Sequence, residues 1–369
     1  VRAVKTRGAA LKAQWQKDFD LWRKKNQERA NLLQRLQLKE LPLNWEDTLP
    51  TFAIEKEIAT RKASGETIQA LASTLPEFWG GSADLAESNN TTIEGGGSFL
   101  PLTSGLKNAN PYGRNIHYGI REHAMGAIMN GIALHGLTKT FGGTFLVFSD
   151  YMRGAVRLSA LMQLPVTYVW SHDSIGLGED GPTHQPVEHI ASLRAIPGLT
   201  VVRPADANEV VSAWKEIIRR KKPTGILLSR QNLPVFDRTK MAPASQVGNG
   251  AYVLSDCDNT PDVILIATGS EVALALDSQK ALTQQGIATR VVSAPSLEWF
   301  AEQPRSYRDS VLPPKVLARV SIEAGIALGW RELIGDCGET VSLEHFGASA
   351  SAKTLFKEFG FTTAAVVDA

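Results

Sequence analysis

The sequence has few cysteines. Cys257 and Cys337 are the only two in 369 residues, and they lie far apart. They form neither a disulfide framework nor a zinc-type spacing, so ordinary thiols in a reducing compartment, by default the cytoplasm, are expected. Long hydrophobic runs are also missing. Stretches such as Val263-Ile264-Leu265-Ile266-Ala267 fall far short of the roughly 20 residues that span a bilayer. No basic start leads into an apolar signal core. Charge of one sign is not in excess: 39 Lys and Arg stand against 38 Asp and Glu, for a formal net charge of +1. That balance gives no global pull towards nucleic acid or membrane. What the chain does have is apolar substance. Hydrophobic residues make up 43%, enough to bury real cores and exclude a largely disordered chain. The length suggests about two to three domains, and no solenoid-like repeat is visible.

The first fifty residues differ from the rest. Positions 1–40 hold eleven Lys or Arg and four Asp or Glu, and Leu11, Trp15, Phe19 and Trp22 recur at helical spacing. This reads as an amphipathic linker helix with a basic outer face, docked through its aromatic stripe. The competing reading is a nucleic-acid-binding arm; the one-sided aromatics favour the docked helix. The chain opens inside this pattern without Met, and so reads as the continuation of something longer, or as a processed or separately encoded piece. From residue 51 helices and strands alternate. Helices are expected over 58–74, 121–135, 151–163 and 206–221, the last opened by a capping box at Asp206–Glu209. Strands are expected over 118–120, 144–148, 165–171, 200–203 and 225–229. A softer stretch over 236–261 precedes a second run, with strands at 263–267, 289–293, 316–322 and 340–343, and helices at 270–284 and 329–334. This alternation predicts an α/β fold: two domains, at 51–241 and 242–369, each a mainly parallel sheet flanked by helices, behind a linker region at 1–50.

Ligands of open parallel sheets sit beyond the carboxyl ends of strands, and four segments fall there. In Gly119-Ile-Arg-Glu122-His-Ala-Met-Gly126, Glu122 stands where a strand turns into a helix rich in small residues, which invites close approach by a backbone or a flat ligand. Its plainer reading is a first-turn carboxylate complementing the helix dipole. Phe145, Phe148 and Tyr151 can converge where a strand passes into a helical turn; alone they read as core. The glycine-rich run from Ser171 to Gln185 has the composition of a functional loop. It offers His172, Asp180 and His184, with His189 just beyond, as potential metal ligands, but no pair has a recognised metal spacing, and contacts to an organic substrate are favoured. Finally Arg61, Ser88 and Arg230 suit an anion, because a guanidinium donates two hydrogen bonds at once.

Taken together, these strings resemble transketolase over nearly the whole chain, from the linker helix through the last domain. The resemblance implies that Glu122 hydrogen-bonds N1′ of the aminopyrimidine of thiamine diphosphate. A carboxylate in an apolar pocket can share a proton with a ring nitrogen. It implies that Phe145, Phe148 and Tyr151 surround the pyrimidine ring. Asp180 and His184 would contact the sugar hydroxyls, with Asp84 supporting them, and Arg61, Ser88, His172 and Arg230 would hold the sugar phosphate. The implied reaction moves a two-carbon ketol unit from a ketose phosphate to an aldose phosphate, with the cofactor as electron sink. The Gly-Asp-Gly element and later Asn through which the family's N-terminal domain holds the diphosphate and its metal ion are not found here. The chain is therefore expected to share thiamine diphosphate with a partner diphosphate-binding domain or subunit. That partner would carry the Mg or Ca ion, none being bound by this chain, in a homodimer or higher assembly. The 91–110 loop reads as longer than in many relatives. Rival readings are a 1-deoxyxylulose-5-phosphate synthase or a 2-oxo-acid dehydrogenase β subunit, which need Glu122 but not the Arg61, Ser88, His172 and Arg230 set, and a non-catalytic partner of a full transketolase, which needs no such acid.

Overall fold

In the computed structural model, described for residues 2–369, the chain opens with two helices, α1 (Arg2–Lys25) and α2 (Gln27–Gln37), with no buried residue in either. The expected docked stripe is corrected here. Trp15 stacks on Phe19 and Phe19 on Trp22, at 4.9 and 5.7 Å between ring centroids, yet Trp15 remains 58% exposed. The last turn of α2 is tied down by Arg35, whose two terminal nitrogens lie 2.9 Å from the Glu77 carboxylate.

The elements that follow are β1 (Glu57–Ala59), α3 (Thr60–Thr74), β2 (Phe78–Ser82), α4 (Ala86–Asn89), β3 (Ser98–Phe99), β4 (Ala109–Asn110), β5 (Asn115–His117) and α5 (Glu122–His135). Next come β6 (Lys139–Phe145), α6 (Ser149–Leu161), β7 (Val166–Ser171), α7 (His189–Arg194), β8 (Thr200–Val202), α8 (Ala207–Arg220), β9 (Thr224–Leu228) and β10 (Asn232–Pro234). Eight of these strands form one parallel sheet in the order β4-β3-β5-β2-β6-β7-β9-β8; β1 and β10 pair separately as an antiparallel ribbon. All six residues of β7 are buried, as a central strand covered on both faces requires. The capping box at α8 forms: Asp206 accepts from the Glu209 N–H at 2.8 Å, and Glu209 reaches back to the Ala205 N–H, also at 2.8 Å.

A second sheet follows, built from β11 (Tyr252–Ser255), β12 (Val263–Ala267), β13 (Thr289–Ser293), β14 (Arg319–Ile322) and β15 (Glu339–Val341), with α9 (Glu271–Gln284) and shorter helices around it. Its order is β11-β13-β12-β14-β15, parallel except for the antiparallel edge strand β11. The α/β class with mainly parallel sheets is as expected. One buried apolar cluster joins the two sheets, running from Phe78, Phe141 and Trp214 to Val272, Val291 and Val341.

Several boundaries differ from the sequence reading. The strand before α5 is 115–117; residues 118–121 form a turn in which Gly119 takes φ +68°. The strand expected at 144–148 starts at Lys139 and ends at Phe145, where the chain tightens into a single 3-10 turn. The 91–110 segment adds β3 and β4 to the sheet edge, and the soft 236–261 stretch contains β11.

Candidate functional site

Most candidate residues lie at the carboxyl edge of the larger sheet or in the turns and short helices leaving it, and Arg61 joins them from the first turn of α3. Glu122 is the first residue of α5, just past the end of β5, and is 7% exposed. Its carboxylate has no side-chain partner among the described residues. Of the two causes expected for the small residues of α5, close approach by a neighbouring backbone is seen at Gly126. A Cβ on Gly126 would lie 2.8 Å from that of Ala155 on α6, and one on Gly142 of β6 would lie 2.4 Å from the sulfur of Met129. Gly126 thus lets α6 approach closely.

Beyond β6 the aromatic run converges. The rings of Phe145 and Phe148 stack at 5.8 Å, and Phe148 meets Tyr151 at 5.8 Å. His184 stands edge-on to this wall, 5.6 Å from Phe148 and 6.3 Å from Phe145. The 3-10 turn at 146–148 turns a strand pair toward the first residues of a helix, which spacing alone leaves ambiguous.

His172 follows β7 with φ +60° and lies against Phe145, 3.6 Å between ring centroids. Its Nδ1 is 2.7 Å from the Ser171 hydroxyl. Burial, reinforced by the charges of Arg61 and Arg230 and by His184, pushes the imidazole down to about 3. The ring is therefore neutral near neutral pH. Arg61 stands in the first turn of α3, with Nη1 donating to the Ser88 carbonyl and Nε buried without a partner. Burial and the nearby Arg230 lower its pKa. Two guanidiniums that disfavour each other, beside a neutral imidazole, leave this spot with local positive charge. Arg230, exposed, follows β9 by way of Ser229. Ser88 is on α4, and Asp84, exposed with φ +62°, precedes it; both line a cleft of about 450 Å³ with Ser82, His117, Gly119 and Arg121. Asp180 is exposed, three residues from Thr183, whose hydroxyl is 2.9 Å from His184 Nδ1.

The structure also shows residues the sequence reading passed over. Asn89 accepts from the Ser171 hydroxyl at 2.5 Å and donates to Ser82 at 2.9 Å, while Ser82 also meets Thr91 at 3.0 Å. This buried polar chain ties α4 to β2 and β7. No local pattern announces it, because its members come from separate strand ends. The proposed metal ligands do not come together as one group. His189 pairs instead through Nε2 with Asp150 at 3.1 Å, and its Nδ1 lies 3.6 Å from Glu188.

A parallel α/β sheet with a polar loop cluster on its carboxyl edge, braced by a second sheet, is an architecture on which cofactor and nucleotide sites are commonly built. Two families match it by sequence: "Transketolase, pyrimidine binding domain" over residues 56–235 and "Transketolase-like TK C-terminal domain" over 250–362. A transketolase of Mycobacterium tuberculosis is 56% identical over 379 aligned positions, covering 100% of this chain and 54% of that protein. The chain thus spans about half the length of the curated relatives it matches. Among solved structures, a Pichia stipitis transketolase in complex with sedoheptulose-7-phosphate superimposes with a TM-score of 0.92 at 43% identity, over 98% of this chain and 53% of that one. A split-gene transketolase described as an inactive β4 tetramer gives 0.67 at 25% identity, over 84% of this chain and 96% of that one. The chain belongs to the transketolase family, of whose members it spans the pyrimidine-binding and C-terminal portions.

Proposed function

We propose that the chain supplies the pyrimidine-binding half of a thiamine-diphosphate site that transfers a two-carbon ketol unit between sugar phosphates, and that it is inactive until joined by a diphosphate-binding half. The observation that carries this reading is a set of candidate groups gathered at one sheet edge. Glu122 has a carboxylate without a side-chain partner, the Phe145–Phe148–Tyr151 wall ends in a ring that is 67% exposed, and Arg61 has a buried, unpartnered Nε. Buried polar atoms are ordinarily paired, so the Arg61 Nε suits an anion, while a carboxylate and an aromatic wall suit a flat, polar ring.

Thiamine diphosphate, when bound, supplies the electron sink for breaking and forming the carbon–carbon bond. Glu122 shares a proton with the pyrimidine N1′, and its position at the start of α5 fixes where that proton sits. Phe145, Phe148 and Tyr151 exclude water from the ring. Arg61, Ser88, His172 and Arg230 orient the sugar phosphate, while Asp180 and His184, supported by Asp84, contact hydroxyls. The cationic pair Arg61 and Arg230 beside a neutral His172 favours a phosphorylated sugar over a 2-oxo acid. Mg or Ca would be held by the partner half. The division into residues 1–50, 51–241 and 242–369 belongs to this reading, as do the pentose phosphate pathway, a homodimeric or larger assembly and a cytoplasmic location. The split-gene relative, similar in extent and described as inactive, supports a half that needs its counterpart.

The test is ketol transfer from xylulose 5-phosphate to ribose 5-phosphate with thiamine diphosphate and magnesium, using the chain alone and then mixed with a transketolase N-terminal half. Activity is expected only in the mixture, and Glu122→Gln is expected to lower it by about 100-fold or more. Activity of the chain alone, or a mixture indifferent to the Gln variant, refutes the reading.

A further inference from the structure

The carboxyl ends of adjacent parallel strands are where open α/β sheets usually take a ligand. In the second sheet that position lies past β12 and β14, at Thr268, Glu271 and Glu323, and a side chain from the other sheet fills it. Arg203, which immediately follows β8, is wholly buried. Its Nη1 donates to the Thr268 carbonyl at 3.2 Å, to the Thr268 hydroxyl at 3.0 Å and to Glu271. Its Nη2 reaches Ser270 at 3.4 Å. Gly269, at φ +52°, makes room for it: a Cβ there would lie 2.7 Å from the guanidinium carbon. Glu323 completes the cluster, held by Arg194 at 2.7 and 2.9 Å and by Thr268 at 2.6 Å.

The remaining donor of Arg203 points back to the first sheet. Nε donates to Asp173 Oδ2 at 2.8 Å, and the other oxygen of Asp173 is buried with no partner. Arg203 is thus the side-chain anchor of Asp173. Asp173 directly follows His172, whose left-handed backbone is one that a residue with a Cβ holds only when its surroundings impose it. The far end of the same loop is fastened to the second sheet as well. Gln185 donates to the Ala348 carbonyl at 2.9 Å, and Ser349 donates to the Glu179 carbonyl at 2.5 Å.

We propose that Arg203 is a positioning residue for the sugar-phosphate site: through Asp173 it holds His172 in place, so that the second sheet, which supplies no candidate contact residue, sets the geometry of the phosphate seat. The inference rests on the reading of that site given above.

The test uses Arg203→Lys, Arg203→Met and Gly269→Ala in the chain assembled with a diphosphate-binding half. The KM for xylulose 5-phosphate is expected to rise about tenfold with kcat nearly unchanged, while the KM for xylulose, which lacks the phosphate, stays within about twofold. An equal loss on both donors, or none on either, overturns the proposal, since general destabilisation does not sort substrates by their phosphate. If Arg203→Met does not fold, Arg203→Lys and Gly269→Ala, which keep a positive charge at 203, give the same comparison. Histidine-selective NMR of the chain gives a readout free of catalysis. The His172 ring resonance, assigned with His172→Asn and displaced by the Phe145 ring beneath it, is expected to move in Arg203→Lys; an unmoved resonance overturns the proposal. If the assembled wild-type chain transfers no ketol unit, the functional reading fails, and this resonance alone then decides whether Arg203 holds His172.

Discussion

His172 shows how much a single side chain here depends on its neighbours. In sequence it is one of seven histidines. In the fold it is buried against Phe145 within reach of the charges of Arg61 and Arg230, and burial is the largest cause of its lowered pKa. The sign of the pH effect follows. The folded-state value lies below the ordinary 6.5, so the unfolded chain takes up the proton first. Its contribution to stability is complete above pH 6.5 and is lost as pH falls towards about 3. Urea denaturation across that range is expected to show a shallower pH dependence for His172→Asn than for the wild type. Parallel curves for the two proteins would mean that another group governs acid stability.

At the scale of elements, the packing of α5 on α6 sets where Glu122 and Tyr151 stand, because each lies in the first turn of its helix. Gly126 is the point of closest approach. Glycine costs about 1 kcal/mol in a helix interior relative to alanine, and here that cost is offset by contact between the helices. Gly126→Leu is expected to destabilise the chain by about 1–3 kcal/mol through overpacking, measured as a lowered urea midpoint. An unchanged midpoint would show that the two helices can separate freely. The small-residue run of α5 was visible in the sequence, but two causes fit it, a flat ligand and a neighbouring helix. Only the position of Ala155 distinguishes them.

Across the whole molecule, the same two helices carry a row of uncovered apolar side chains: Ile128 and Leu134 on α5, Leu158 and Leu161 on α6, with Ile120 and Tyr151 beside Glu122. Ile120 is 78% exposed and Leu161 is 69% exposed. Exposed apolar side chains grouped on neighbouring helices suit an interaction face, and under the proposed function this is the face on which the diphosphate-binding half would dock. The double variant Ile128→Lys with Leu158→Lys is expected to weaken assembly at least tenfold by analytical ultracentrifugation, leaving the fold of the chain intact by circular dichroism. Unaltered assembly would place the partner on another face. Among the described residues no helix is long and apolar enough to cross a membrane.

The sequence by itself determined the α/β class and the split into two alternating runs, and it marked the polar turns after strands where the candidate residues stand. These depend on local signals: buried strands such as Val263–Ala267 read as unbroken apolar runs, the α8 cap is written in four consecutive residues, and functional side chains gather in the polar turns after strands. Tertiary structure decided what depends on residues distant in the chain. It made β11 an edge strand by pairing it with β13, about forty residues later, and it left Trp15 exposed and Phe19 and Trp22 only half-buried, since periodicity reports an apolar face without saying what covers it. It also joined Arg203 to Asp173, Thr268 and Glu271. Each of these is an ordinary polar residue in its own segment, and only burial in a shared low-dielectric space, where unpaired charge is costly, makes them a unit.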